Sequence, residues 1–341
     1  MKIMSKAGRF SPVRKASVHE DDAANAVLRK LRAFLDASEP EMVHLLVNTW
    51  QTQGKAITYK ELREALLRGD IDPAYLREWM EDYARFVTVN LQPAWEKAME
   101  AAAAEITAKY PVWRFDPYAD AAREWATKRA AEFVTNISTT QMQGLRAVVQ
   151  RAAVLENLNV DELARAIRPM VGLTHQQSVA NLNYYNLLVE NGASEKRAQD
   201  LALRYAARQH RQRAYTIART ELAYAYNQGS YEGTKQAQKA GYMGDTVKIW
   251  CTADDERVCA ICGDLGTNEH GIGMDEEFYY EIADRDGNKI RRRINHKLTD
   301  PGIGMVPPAH PGCRCTVLYE EISPPIRSGQ KDTLDEIVEI I

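Results

Sequence analysis

A mainly α-helical body carrying a small, cysteine-rich β module near its C-terminal end, α+β overall, is the fold class that this sequence predicts. Three observations predict it. Ala, Leu, Glu, Arg and Gln dominate the first two-thirds of the 341 residues, a composition that favours helix. After Gly241 the chain turns to Gly, Asp, Pro and Cys, and its apolar spacing changes from helical to alternating. Four of the five cysteines gather there in two tight groups, Cys259-Ala-Ile-Cys262 and His310-Pro-Gly-Cys313-Arg-Cys315.

The helical elements follow from start signals and apolar stripes. Val27, Leu28, Leu31, Phe34 and Leu35 share one helical face. Ser38 to Glu41 has the capping-box pattern and predicts a new helix carrying Met42, Leu45 and Leu46. Thr58 to Glu61 repeats the pattern, with Gly69 as the stop. Asp72-Pro73 opens a stretch with Leu76, Trp79, Tyr83 and Phe86, which Pro93 should break or kink. Asp116-Pro117 opens the segment with Trp125 and Phe133. Ser138 to Gln141, Asn159 to Glu162 and Thr174 to Gln177 mark further starts. Ser194 begins a run that stays helical to Lys239 and ends at Ala240-Gly241. These stripes read as core, and the irregular spacing of the starts excludes a solenoid.

Beyond Gly241, Val247, Ile249 and Cys251 alternate with polar residues and predict a strand. Phe278 to Ile282 and Lys289 to Ile294 flank Asp284 to Asn288, a hairpin signal with Asp-Gly at the turn. Thr316 to Tyr319 is a short last strand. The division that follows is a basic, unpatterned arm over 1–20 and helical regions over 21–150 and 151–245. The Cys/His-rich β module covers 246–320, and a tail over 321–341 has Leu334, Ile337, Val338 and Ile340 on a short amphipathic stretch.

A formal net charge of −3 gives no global field toward DNA or an acidic membrane. No apolar run approaches the length needed to cross a bilayer. Met1 to Arg14 lacks the apolar segment of a signal peptide, so the thiols are expected to stay reduced and not to form disulfides. No strand-then-helix pattern surrounds Cys259 and Cys262, which argues against a thioredoxin-like dithiol. Thiolates two or three residues apart grip one soft cation from a tight turn, and two such grips make a four-coordinate site. The expectation is one structural zinc held by four of Cys259, Cys262, His310, Cys313 and Cys315. Cys259, Cys262 and Cys313 lead. His310 suits a turn and Cys315 a strand, and the fourth place stays open between them.

The same residues carry a resemblance. Arg213-Ala-Tyr-Thr-Ile-Ala-Arg219-Thr-Glu221, Asn227-Gln-Gly229, Trp250, Asp255, Arg257-Val-Cys259, Cys262 and Pro307-Pro-Ala-His310-Pro-Gly-Cys313-Arg-Cys315 follow in a familiar order. With Ile167 to Thr174 upstream, the stretch from about Val160 to Tyr319 resembles the phage head-morphogenesis, or Mu protein F-like, minor capsid family. The long insertion between Gly266 and Pro307 departs from that family's pattern, and residues 1 to about 150 carry none of its motifs. The resemblance implies a non-enzymatic protein of a tailed-phage head. It implies a place in the virion, reached through the host cytoplasm, and association with portal, major capsid and scaffolding proteins during procapsid assembly. In some members it extends to packaging or delivery of genomic DNA.

Enzymatic alternatives are weaker on the residues. A zinc deaminase needs His-x-Glu with Pro-Cys-x-x-Cys, and a zinc protease needs His-Glu-x-x-His; neither occurs. A zinc-stapled nuclease is the remaining alternative, with Asn295-His296 beside Arg291 to Arg293 as general base and phosphate contact. Arg208, His210, Arg211 and Arg213 form a basic run suited to packaged DNA or to an acidic portal surface. Arg219 and Glu221 fit either a buried polar network or a solvated helix face.

Overall fold

A computed structural model describes residues 22–153, 159–253, 255, 257–267, 270–283, 289–293 and 304–325. The expected N-terminal arm, the Asp284 to Asn288 turn, His296 and the apolar residues of the tail fall outside them. The helices are α1 (Asp22–Ala56), α2 (Tyr59–Arg68), α3 (Ala74–Phe86), α4 (Gln92–Lys109), α5 (Asp120–Ala153), α6 (Val160–Ile167), α7 (His175–Glu190), α8 (Glu195–Lys239) and the short α9 (Ala260–Leu265). The strands are β1 (Thr246–Cys251), β2 (Ile272–Gly273), β3 (Tyr279–Ala283), β4 (Lys289–Arg293) and β5 (Thr316–Glu321). Among the described residues no helix is long and apolar enough to cross a membrane.

Capping chemistry sets several of these boundaries. Thr58 and Thr174 each accept from the backbone of the residue three positions on, and Glu61 and Gln177 reach back to complete both capping boxes. Asn159 caps α6. Gly69 in the left-handed region closes α2. Two expected starts are not starts. Ser38 to Glu41 lies inside α1, which continues through Pro40, and Ser138 to Gln141 lies inside α5. In both places burial overrides the local signal. Leu35, Met42, Leu46 and Trp50 bury one uninterrupted face of α1, and Ser138 and Gln141 are themselves buried. Pro93 does disturb its helix: a π turn over Val87–Leu91 precedes it, with the Gln92 N–H bonded to the Val87 carbonyl.

The described residues form two compact units, one within Leu35–Ala98 and Pro117–Leu222, the other within Met1–Phe34, Met99–Asp116 and Ala223–Ile341. The first unit is helical. Its core joins stacked Phe86 and Phe133, edge-to-face Trp95 and Trp125, and a buried polar group. There Trp50 Nε1 donates to Tyr83 Oη (2.8 Å), Tyr83 donates to Gln141, and Gln141 Nε2 donates to Gln53 Oε1 (3.0 Å). Every buried polar group in that chain of bonds finds a partner, as a dry interior requires.

The basic run of α8 divides between inside and outside. His210 and Arg213 are buried, which corrects their expected place on a DNA- or portal-facing surface. His210 Nε2 lies 2.8 Å from the Val171 carbonyl, Arg213 donates to the Gly172 carbonyl, and its guanidinium stacks over Trp50. Both side chains thus satisfy carbonyls of the turn between α6 and α7. Burial pushes the imidazole of His210 down to about 4, so it is neutral at pH 7.

Arg219 and Glu221, left open between two readings, belong to ion pairs. Arg219 grips Glu39 through two bonds (2.6 and 3.1 Å), and buried Arg129 grips Glu221 through two more (2.9 and 2.5 Å). Removing one member of a buried pair strands the other charge, at a cost of about 3–5 kcal/mol. Arg129→Met is therefore expected to destabilise the unit by about that amount, and adding Glu221→Met to restore most of it. Urea unfolding followed by tryptophan fluorescence measures both. A double variant as unstable as the single one contradicts this account of the pair.

Candidate metal centre

The second unit brings the cysteines together. Strand β1 pairs antiparallel with β2 on one side and β5 on the other, giving the sheet order β2-β1-β5. Strands β3 and β4 form the expected hairpin. Pairing of Cys251 with Thr316 sets Cys315 beside the end of β1, from which the chain runs on to Cys259.

Strand β1 lies where the alternation predicts it, but burial does not follow its apolar side chains: Thr246, Lys248, Trp250 and Cys251 are buried, while Val247 and Ile249 are half-buried. A lysine can point inward here because carbonyls and aromatic rings receive its ammonium. Its Nζ donates to the Glu276 (2.8 Å) and Met305 (3.1 Å) carbonyls and lies over the rings of Tyr231 and Phe278. Burial lowers its ammonium to about 8. These two carbonyls belong to the outgoing and returning ends of the long segment between Gly266 and Pro307, so one buried cation ties both to the sheet. The Phe278 N–H bond to the Gly304 carbonyl (2.5 Å) closes the same base.

Two turns carry the donor atoms. Cys259 is the N-cap of α9, and its Sγ accepts from the Cys262 N–H (3.4 Å), which aims both sulfurs to one side. His310 to Cys313 is a tight turn closed by the Cys313 N–H on the His310 carbonyl (3.1 Å), with Gly312 at φ 74° supplying the left-handed position. His310 Nε2 lies 3.3 Å from Cys259 Sγ and 3.4 Å from Cys262 Sγ. Its Nδ1 sits 3.0 Å from the Pro311 carbonyl, a partner that keeps the proton there and leaves Nε2 as the donor atom. Cys262 Sγ lies 3.7 Å from Cys313 Sγ. Two triplets result, Cys259-Cys262-His310 and Cys262-Cys313-Cys315, each with its donor atoms within 4.8 Å of one another. All five expected donors thus converge, with Cys262 shared, and the group can hold a metal ion. Cys251 takes no part in either triplet.

Bonds from Cys262 and Cys315, with backbone N–H groups, hold Cys313 well below the usual thiol range against its burial, while the bond with Cys313 pushes Cys262 up. Backbone and side-chain neighbours outside the donors fix the turns. Arg314, between Cys313 and Cys315, makes a two-pronged bond to Asp255 (2.6 and 2.6 Å), four residues before Cys259. Arg257 adds a bond at 3.1 Å to the same carboxylate. Asp255 is held far below the ordinary carboxylate range, first by Arg314, with bonds from Arg257 adding to it against desolvation. Buried Asn227 of α8 donates to the Cys315 carbonyl (3.3 Å) and accepts from Thr316 Oγ1 (2.8 Å). Two residues on, Gly229 lets α8 lie against Met99 of α4, where a Cβ would come within 2.2 Å of the Met99 Cα.

Of the quoted motifs, Asn227, Asp255, Cys259, Cys262 and the segment from His310 to Cys315 supply donors, fork and helix anchor here, while Ile167 to Thr174 and Arg213 to Glu221 belong to the helical unit. The phage Mu protein F-like family matches residues 145–318, about half of the chain, and that span contains all of them. The chain belongs to the phage Mu protein F-like family. This sets it among phage head-morphogenesis, or minor capsid, proteins, a family generally structural and non-enzymatic. No curated protein and no solved structure matches it. Lys248 and the Asp255–Arg314 fork are the parts of this Mu F-like site that residue spacing does not reveal. The identity of Lys248 gives no hint of burial, and the fork joins residues 59 apart.

The fork gives a pH prediction. The Asp255 carboxyl is depressed in the folded protein, so its stabilisation is fully present above the unfolded value near 4 and fades as pH falls below it. Asp255→Asn is expected to make the segment around the two turns more protease-sensitive than wild type at pH 7. The difference should shrink steadily below about pH 4. Limited proteolysis across that range, with a protease active in acid at the low end, measures it; a gap that widens on acidification contradicts the fork's role.

Proposed function

We propose that this Mu F-like protein is a minor head component that binds portal and neighbouring capsid or scaffolding proteins during procapsid assembly. Its cysteine-bearing unit is stapled by one structural zinc. The observation that carries the staple is the donor spacing. Tetrahedral zinc with Zn–S near 2.3 Å and Zn–N near 2.0–2.1 Å sets sulfurs about 3.8 Å apart and sulfur about 3.6 Å from nitrogen. The 3.7, 3.3 and 3.4 Å separations fit that demand.

The ligands in this reading are Cys259, Cys262 and Cys313 with a fourth from His310 or Cys315, since Cys262 belongs to both close triplets. A bound zinc supplies a fixed positive charge that holds the coordinating sulfurs as thiolates. The chain's own residues do the rest. Asp255 and Arg314 orient the two turns, Asn227 fastens the cluster to α8, and Lys248 anchors the segment between Gly266 and Pro307. Four protein ligands with Cys262, Cys313 and Cys315 buried leave no place for a reacting water, which suits a structural rather than a catalytic site. Partner binding then falls to the surfaces that this frame holds rigid.

Purified protein prepared without chelator is expected to carry close to one zinc per chain by elemental analysis. Cys259→Ser or Cys313→Ser should expose the region from about Trp250 to Tyr319 to protease and spare the helical unit. Metal far below stoichiometric with all five thiols freely titratable in the folded protein contradicts the staple. From infected cells, tagged protein should recover portal and procapsid components. Recovery of none of them, together with metal-dependent DNA cleavage lost in His296→Ala, overturns the structural reading in favour of a nuclease.

A further inference from the structure

Between α1, the turn after α6 and the first half of α8, the helical unit has an open groove of about 280 Å³. Trp50, Val171 and Ala206 are its buried floor, half-buried Pro169 and Ala207 its walls, and Leu203, 52% exposed, its lip. Scattered apolar side chains on a surface are ordinary, but one standing at the edge of an apolar groove marks a surface made to be covered. Lys55 and Arg168 lie on the rim, and no carboxylate lines the groove. Arg168 donates to the Gly54 (2.8 Å) and Lys55 (2.7 Å) carbonyls and stacks over Tyr59 at 4.6 Å, so neutral groups fix its guanidinium in place. Among the described residues no carboxylate pairs with Lys55 or Arg168. On α8, helical phase sets exposed Arg204 and Arg211 beside the line from Leu203 to Ala207, with Asp200, a turn before Arg204, as the one acid near them.

We infer that this groove receives residues 332–341 of a second copy of the chain, bound as an amphipathic helix. That segment lies outside the described residues. In sequence, Leu334, Ile337, Val338 and Ile341 stand at i, i+3, i+4 and i+7, the anchor spacing of a helix laid into a groove. Asp332, Asp335, Glu336 and Glu339 fall on the opposite side of the helical wheel, and the segment holds no base. An apolar face backed by acids is the complement of an apolar groove rimmed by bases. A second cavity of the helical unit is lined by Glu61, Glu64, Asp72, Glu78 and Asp82 and repels such a segment. The tail follows β5 of the cysteine-bearing unit, whereas the groove belongs to the helical unit. A contact between two such different surfaces is heterologous and repeats head to tail from copy to copy. It rests neither on the metal centre nor on the portal-binding reading.

The experiment is sedimentation velocity of the purified full chain between about 1 and 100 μM, where the average mass should rise with concentration above that of one chain. Leu203→Asp in the groove, and the pair Ile337→Asp and Val338→Asp in the tail, should each lower the association constant at least about tenfold. Circular dichroism should be unchanged, because Leu203 is exposed. Mixed together, the groove variant and the tail variant should form a one-to-one dimer and nothing larger, since each such pair has one intact groove facing one intact tail. Lys55→Glu should weaken association by up to about fivefold. Leu187→Asp, an equally exposed leucine on α7, should change nothing. A chain that stays monomeric throughout, or association that neither variant weakens, overturns the inference. So do variants that each dissociate but fail to pair on mixing, which assigns groove and tail to separate contacts. A groove variant that self-associates normally but no longer recovers a capsid component also overturns it and gives the groove to another protein.

Discussion

The meeting of two turns 51 residues apart in sequence is the constraint on which the cysteine-bearing unit depends. Closing so long a loop costs conformational entropy, and a three-stranded sheet with one two-residue strand buries too little apolar surface to offset it alone. The unit meets that cost with short-range chemistry concentrated at one point. Five donor atoms converge, a carboxylate–guanidinium fork bridges the backbones that carry them, and an asparagine side chain fastens the returning strand to a long helix. Each contact holds one of the two turns to the other or to a rigid element.

Buried lysine plays a second, separate role. Lys248 lies in the central strand of the sheet, yet its ammonium reaches carbonyls at both ends of the long segment between Gly266 and Pro307. The base of that segment is therefore closed from inside the sheet.

In the helical unit, buried charged groups penalise any helix packing that would leave them unpaired. A buried Arg129–Glu221 pair and the Arg219–Glu39 fork contribute less net stability than apolar contacts of equal size, but a mismatched packing would strand their charges. Arginines of α8 thus do two opposite jobs. Arg213 and Arg219 face carbonyls or carboxylates of their own unit, while Arg197, Arg204, Arg208 and Arg211 face outward. Helical phase alone separates the two sets.

Local signals were strong enough in this sequence to define the class of fold, the capped helices and the two Cys/His turns that converge. Thr58, Asn159 and Thr174 act within three residues of themselves, and the Cys and His spacings describe single turns, so each is legible without the rest of the chain. Where a pattern had to be weighed against burial, only tertiary structure decided. Ser38 and Ser138 look like helix starts, yet each sits inside a long helix whose apolar face runs on past it. Lys248 looks like the wet side of a strand and is dry, because its partners come from 28 and 57 residues away. The four basic residues from Arg208 to Arg213 look like one surface and are two. Short-range geometry is written in neighbouring residues, whereas burial is a property of what folds back against them.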